Sequence, residues 1–310
     1  MKAMLKSFWD GGQKRRFEEG GFQDKLIGVI AIVMSIYQLW QATFSSIQPL
    51  LHYSIHLTFV LVLCYLYYTP RMGADRKKFS IMDGVIAALI AAAGSSTRYG
   101  GENKLLQTLD GIPVLVRTLL TIDRVEGIDE IVIAAREDEL LPYAELCKTF
   151  GLRKPVKVIV GGATRTESVL RAALEASPET EFFAVQDGAR PLVTVELIDE
   201  VLDAARVYLA AAPAVPVRDT IKVAHDGIVE RTPDRSALFA VQTPQVFAAD
   251  LLKAALQSAI ADGATITDDC SAVERLGKEV HLTEGSEENI KITTPVDLAI
   301  AEAILQRRGE

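Results

Sequence analysis

Only four histidines and three cysteines occur in the 310 residues, and their positions exclude several chemistries. Cys64, Cys147 and Cys270 are far apart and none belongs to a Cys-x-x-Cys pair, so neither a disulfide framework nor a zinc site is signalled. His52 and His56 are one helical turn apart in an apolar stretch, but without a third ligand they read as packing or interfacial groups rather than a metal pair. That leaves His225 and His281 for everything downstream, and neither stands near a nucleophile signature. Ser-His-Asp and Cys-His mechanisms are thereby disfavoured. Positive charge is not in excess either: the net charge is −8 and no basic stripe is interleaved with aromatics, which argues against a nucleic-acid partner. Any anionic substrate must be held by a local cluster of cations.

Charge of both signs is missing from Leu26 to Pro70, which contains no Asp, Glu, Lys or Arg. A membrane helix needs roughly 20 apolar residues, so the stretch is long enough for two. Leu26 to about Ile47 and Leu50 to Tyr68 read as the spans, broken at Gln48-Pro49, with Trp40, Tyr65, Tyr67 and Tyr68 as interfacial anchors. A cleaved signal peptide would need a short apolar region followed by a small-residue cleavage site, which is not seen. Lys14, Arg15, Arg16 and Lys25 precede the spans, and Arg71, Arg76, Lys77 and Lys78 follow. That distribution predicts an inner-membrane helical hairpin with both ends in the cytoplasm, and so membrane association through residues 26–69. Lys25-Leu26-Ile27-Gly28-Val29-Ile30, His56-Leu57 and Tyr67-Tyr68-Thr69-Pro70-Arg71 resemble the start of the fused-permease subunit of tripartite ATP-independent periplasmic transporters. Nothing downstream supplies the further membrane helices of a permease. Residues 1–80 are thus expected to be a basic tail and hairpin, and residues 81–310 a catalytic domain.

From Met82 onward, strand-like and helix-like segments alternate, which predicts an α/β fold with a Rossmann-like, doubly wound, mostly parallel sheet. Candidate strands are Val85–Ile90, Glu130–Ala134, Val156–Val160, Phe182–Val185 and Ala211–Val215. Thr164-x-x-Glu167 has the spacing of a capping box before a helix over Ser168–Ala176, and Thr294-Pro295-x-Asp297 opens a helix over Leu298–Gln306. One segment departs from the alternation. Ile221–Ala224 and Ile228–Arg231 flank His225-Asp226-Gly227, a strong hairpin signal, and predict a projecting arm within residues 216–238 that serves either as a dimerisation element or as a plain surface hairpin.

Right-handed crossovers bring the C-terminal ends of the strands to one edge. There, Ala92-Ala93-Gly94 opens a small-residue loop that runs through Arg98 to Lys104. Its glycine spacing fits neither Gly-x-Gly-x-x-Gly nor Gly-x-x-x-x-Gly-Lys-Ser/Thr, which disfavours dinucleotide and Walker-type chemistry, and the loop by itself reads either as a backbone cradle for phosphate or as an ordinary strand-to-helix turn. The same edge receives Gly161-Gly162, Asp187-Gly188-Ala189-Arg190-Pro191, Arg218-Asp219-Thr220 and Asn289-Ile290-Lys291. Together with Arg235 these segments put Arg98, Lys104, Arg165, Arg190 and Lys291 on an otherwise acidic chain, as a site for several phosphates requires. Asp187, at a strand end, reads either as a holder of a magnesium ion or a ribose hydroxyl or as a helix-capping aspartate, since Gly188 and Pro191 suggest a tight turn. Phosphoryl or nucleotidyl transfer fits this inventory, since positioning and charge neutralisation supply the catalysis and no side-chain nucleophile is needed.

Taken in order, Ala92-Ala93-Gly94 with Arg98 and Lys104, Gly161-Gly162 with Arg165 and Ser168, Asp187-Gly188-Ala189-Arg190-Pro191, Pro216-Val217-Arg218-Asp219-Thr220, Asp234-Arg235, Gln242-Thr243-Pro244-Gln245, Gly263-Ala264-Thr265-Ile266-Thr267-Asp268-Asp269 and Asn289-Ile290-Lys291 resemble the 2-C-methyl-D-erythritol 4-phosphate cytidylyltransferase family. The resemblance covers about Val85 to the C-terminus. It implies transfer of CMP from CTP to the methylerythritol phosphate in the non-mevalonate isoprenoid pathway, a divalent metal such as Mg2+, and a homodimer whose hairpin arms complete each other's sites. It further implies that Arg98 and Lys104 stabilise the transition state on the CTP phosphates and that Arg235 and Lys291 position the sugar phosphate. Ala92, Ala93, Gly94, Gly161, Arg165 and Ser168 correspond to nucleotide contacts; Asp187, Arg190, Thr220 and Thr243 correspond to substrate and metal neighbours, with Asp187 the metal ligand. The chain departs from the family pattern at Asn103, in place of proline, at Ala163, in place of an acidic residue, and at Gln186, in place of histidine. A sibling ribitol 5-phosphate cytidylyltransferase shares the loop and the Asp-x-Ala-Arg-Pro turn, but Arg218-Asp219-Thr220 before the hairpin and Asp234-Arg235 after it favour the methylerythritol reading. A different class of alternative is a membrane-anchored nucleotide sensor or transporter accessory protein, against which the pair Arg98 and Lys104 speaks.

Overall fold

The computed structural model describes residues 84–94, 99 and 103–309. The expected membrane hairpin, the transporter-like segment and Arg98 lie outside the described residues. Among those that are described, no helix is long and apolar enough to cross a membrane. Gly84 to Glu310 form one compact unit.

The chain runs β1 (Val85–Ala91), β2 (Thr108–Leu109), β3 (Ile112–Pro113), α1 (Val114–Arg124), β4 (Glu130–Ala135), α2 (Leu140–Thr149), β5 (Val156–Val160), α3 (Arg165–Glu175), β6 (Thr180–Asp187), α4 (Val195–Tyr208), β7 (Ala210–Pro216), β8 (Val223–His225), β9 (Ile228–Arg231), β10 (Phe239–Val241), β11 (Gln245–Ala248), α5 (Ala249–Ala261), α6 (Asp269–Arg275), β12 (His281–Glu284) and α7 (Pro295–Arg308). In the main sheet β5, β4, β1 and β6 are parallel neighbours, and β6 continues through antiparallel β11 to β7. Ala211 pairs with both β11 and β12, and Ala214 with both β10 and β12. A strand has only two edges, so β10 and β11 share one edge of β7 and β12 takes the other. The result is a mixed α/β fold around a largely parallel sheet.

Why the sheet is covered on both faces follows from the two-residue period of a strand. Ile86, Ala88 and Ile90 of β1, with Ile131 and Ile133 of β4, enter one core beneath α1, α2, α4 and α7. Their neighbours Ala87, Leu89, Val132 and Ala134 enter a second core beneath α3, α5 and α6. Residues buried on alternate sides give the near-continuous apolar runs that mark these strands in the sequence.

The arm forms, with one change of boundary. Asp226 and Gly227 adopt positive φ values of 48° and 81°, the backbone that an Asp-Gly turn supplies, and β8 and β9 make a separate two-stranded sheet. Its first strand begins at Val223 rather than Ile221. Val223 pairs with Arg231 across a register shift, β9 ends there, and Pro233 beyond it has no N–H to extend the ladder.

Candidate active site

Strand order places the site. The chain builds β1, β4 and β5 outward on one side, then returns to lay β6 against the other side of β1. A crevice at such a reversal, beyond the carboxyl ends of the strands, is the usual ligand position in open α/β sheets. It is bounded here by Ala92-Ala93-Gly94 after β1, Gly161-Gly162 after β5 and Asp187-Gly188 at the end of β6.

The backbone around this crevice is drawn tight by glycine. A Cβ on Gly161 would lie 2.8 Å from Ala93 Cβ and 2.9 Å from Ser168 Oγ, so the β1 loop and α3 approach closely only without one. Ser168 Oγ accepts from the Gly162 N–H at 2.9 Å and donates to the Thr164 carbonyl at 2.8 Å. Thr164 caps α3 by accepting from the Glu167 N–H, but Glu167 reaches back to the Ala163 N–H, one residue earlier than a reciprocal box requires. Ser168 is buried and structural in this arrangement, holding the turn that presents Arg165.

Asp187 is the hub of the charges. Lys291 Nζ lies 2.7 Å from its Oδ2, Arg165 3.6 Å from Oδ1 and Arg190 Nε 3.7 Å from Oδ2. Its N–H donates to Thr243 Oγ1 at 3.1 Å. Burial works to raise the Asp187 pKa, but Lys291, Arg165 and Arg190 outweigh it and hold the carboxyl below the usual carboxylate range. Arg165 also binds Asp269 at 2.7 Å. Burial and the nearby Asp187 charge push the Asp269 carboxyl up, with Arg165 opposing. Two carboxylates therefore share one guanidinium and are driven apart in acidity.

Lys291, Arg165, Arg190, Thr243 and Asp187 are thus brought together, and Gly161 and Ser168 support them through α3. Thr220 and Arg235 are not part of that contact set. Both are exposed on the arm, and the Arg235 guanidinium donates to the Arg218 carbonyl at 2.7 Å. Lys104 sits in the turn that leads into β2. Three residues without an assigned role prove to hold the site. Asp269 pairs Arg165; Asn289 donates to the Thr243 carbonyl at 3.0 Å and accepts Arg190 at its own carbonyl at 2.6 Å; and the Gln245 side chain accepts from the Asp269 and Cys270 N–H groups. All three stand in the motifs quoted above, which was their only signal.

A second basic cleft, lined by Arg117, Arg124, Arg153 and Arg308, is of a different kind. Its arginines are engaged by Asp110, Thr121, Asp123 and Glu288 respectively, so they tie the fold together rather than await an anion.

Among the described residues no group of three or more His, Cys, Asp or Glu side chains forms a metal cage. The donor set fits only a cation that arrives with phosphate oxygens, where one or two carboxylates suffice, and Asp187 is the carboxylate in the crevice.

A switch-point crevice lined by lysine and arginine around one low-pKa carboxylate defines an α/β enzyme that handles phosphate-bearing substrates. Residues 86–307 match the family model described as 2-C-methyl-D-erythritol 4-phosphate cytidylyltransferase. A protein of that name from Bacillus cytotoxicus is 48% identical over 223 residues, covering 71% of this chain and 98% of its own length. Another, from Caldanaerobacter subterraneus subsp. tengcongensis, is 44% identical over 225 residues, 72% of this chain and 99% of its own. The crystal structure of 4-diphosphocytidyl-2C-methyl-D-erythritol synthase from Anaerococcus prevotii superposes with a TM-score of 0.65 at 31% identity, covering 72% of this chain and 99% of that one. The chain belongs to the 2-C-methyl-D-erythritol 4-phosphate cytidylyltransferase family.

Proposed function

We propose that the protein transfers CMP from CTP to 2-C-methyl-D-erythritol 4-phosphate, giving 4-diphosphocytidyl-2-C-methyl-D-erythritol and pyrophosphate, in the non-mevalonate route to isoprenoids. The observation that carries this reading is the family match from residue 86 to 307, which spans every element of the crevice. A phosphate oxygen of the sugar attacks the α-phosphorus of CTP, the bond from that phosphorus to the bridging oxygen breaks, and pyrophosphate leaves with the electron pair. No base is required, because a phosphate monoester with a second pKa near ~6 is already the dianion at neutral pH. The scarcity of histidine is then a property of the reaction.

In this reading Lys104 and Arg98 take the developing charge on the CTP phosphates, and Arg165 with the Ala92-Ala93-Gly94 and Gly161 backbone holds the nucleotide. Lys291 and Arg235 place the sugar phosphate, with Arg190, Thr220 and Thr243 around them. A divalent cation, magnesium by preference, would be held by Asp187 and would neutralise triphosphate charge. Ile228 and Val229 of the arm are 73% and 54% exposed, which supports a homodimer joined through the arms. Residues 26–69 would anchor the chain with its catalytic domain in the cytoplasm. The test is CTP-dependent pyrophosphate release by the purified full-length protein with a panel of polyol phosphates. Release with the methylerythritol phosphate alone is expected. Release with ribitol 5-phosphate alone would move the protein to the sibling class, and nucleotide binding without release on any substrate would make it a sensor.

A further inference from the structure

Lys104 is pinned from both sides. Asn103 uses its whole amide: Nδ2 donates to Glu139 Oε1 at 2.5 Å and to Tyr143 Oη at 3.0 Å, while Oδ1 accepts from the Leu105 N–H at 2.9 Å. Its main-chain carbonyl accepts from the Leu106 N–H at 3.2 Å. On the far side Leu105 is buried in the core, and its carbonyl accepts from the Leu115 N–H at 3.0 Å in the first turn of α1. The receiving end does not yield. Tyr143 is fully buried, Glu139 is 5% exposed and pairs with Arg136 at 3.0 Å, and the Tyr143 hydroxyl is itself bonded to Glu139. Both acceptors stand just past the end of β4, on the single turn and helix α2 that follow Arg136.

We infer that Asn103 is a positioning residue for Lys104, fixing the main chain from which that lysine reaches the nucleotide phosphates by clamping it to Glu139 and Tyr143. This rests on the assignment of Lys104 to the CTP phosphates. A lysine carries its charge on a flexible four-carbon stem, and this clamp fixes the point where the stem begins. Only an amide meets the chemistry of this position: two donors face a carboxylate and a phenolic oxygen, and one acceptor faces a main-chain N–H. Aspartate is the same shape but would set two carboxylates against each other. Alanine would take from the buried Glu139 and Tyr143 oxygens the donor they share, leaving Glu139 to Arg136 and the Tyr143 hydroxyl.

Steady-state kinetics and melting temperature of Asn103→Ala, Lys104→Ala and the double variant test the idea. Misplacing a catalytic group by an ångström costs up to ~10²-fold, so Asn103→Ala should lower kcat about 10- to 10²-fold with little change in KM for CTP. The double variant should be no slower than Lys104→Ala alone, because Asn103 acts through that lysine. Multiplicative losses in the double variant, or a lowered melting temperature at full kcat, would make Asn103 merely structural. If Asn103→Ala does not fold, Asn103→Asp with and without Glu139→Gln gives the same decision. The single change should be slow and the pair should recover, since the second change returns an amide to the contact from the other side; absence of recovery overturns the clamp. Full activity in Lys104→Ala would instead overturn the assignment on which the clamp rests.

Discussion

At the scale of single residues, charge placement decides what each cation contributes. In the proposed reaction Lys104 and Arg98 meet phosphate oxygens that gain charge as the α-phosphorus is attacked, so their contacts would strengthen toward the transition state. Alanine at either position is expected to lower kcat by the ~10²- to 10³-fold typical of losing one aligned donor. A KM for CTP that rises while kcat holds would show ground-state binding only. Asp187 makes a different prediction, about stability. Asp187→Asn leaves Arg190 buried without its counter-charge, which should cost about 3 kcal/mol, the lower end for a broken buried pair because Lys291 and Arg165 still reach solvent. The cost depends on pH in a defined direction. Because the folded carboxyl titrates below its unfolded value of about 4, its contribution is complete above that pH and disappears as pH falls through the lower folded value. Urea midpoints of the two proteins should therefore differ at pH 7 and converge in acid, and a constant gap would mean that the ion pairs are not its source.

Between elements, the informative contact is the one across Gly161, where the β1 loop, β5 and α3 meet. Gly161→Ala forces apart Ala93 and Ser168, neither of which is a flexible chain end, and overpacking of this kind costs about 1–3 kcal/mol. Thermal unfolding should show that loss, with a raised KM for CTP; unchanged values in both would mean that the loop and α3 are not coupled. This junction was legible in the sequence because a glycine pair after an apolar run has a local signature. So were β1, β4 and β7, whose double-sided burial leaves apolar runs, β5, whose four valine and isoleucine residues mark it even at the sheet edge, and the arm, whose turn needs Asp-Gly. By contrast β10, β11 and β12 are three or four residues each and exist only because β6 and β7 offer edges, both of them to β11 and β7 alone to β10 and β12. They carry no period of their own. Arg136, Glu139 and Tyr143 were silent for a related reason: an acidic turn followed by a helix reads as a solvated surface until Asn103 is folded against it.

For the whole molecule, the compact unit that starts at Gly84 contains the crevice and its supporting contacts, so a chain begun at Met82 should fold and turn over at a rate comparable to the detergent-solubilised full-length protein. An unfolded product would tie residues 1–81 to folding, and a folded but inactive one would tie them to catalysis; either overturns the expectation. In the proposed homodimer the arm would join two such units. Arg235 follows the β8–β9 hairpin, is exposed, and donates to Arg218 of its own arm rather than joining the charges around Asp187. A projecting pair of strands does not readily fold its base back over its own crevice, whereas in the proposed dimer a two-fold partner would deliver the same residue across the interface. There a guanidinium would grip the sugar phosphate in two parallel hydrogen bonds and fix its line of attack, which lysine would do poorly. Mixing Arg235→Ala chains with Lys104→Ala chains should then regenerate activity, because one site of each heterodimer receives an intact loop from one chain and an intact arm from the other. With statistical exchange half the dimers are mixed and each has one working site, so activity should approach about a quarter of wild type. Tagged co-purification establishes that exchange has taken place. If heterodimers form and activity stays at the level of the two parents, Arg235 serves the crevice of its own chain, and the arm must bend back within one subunit.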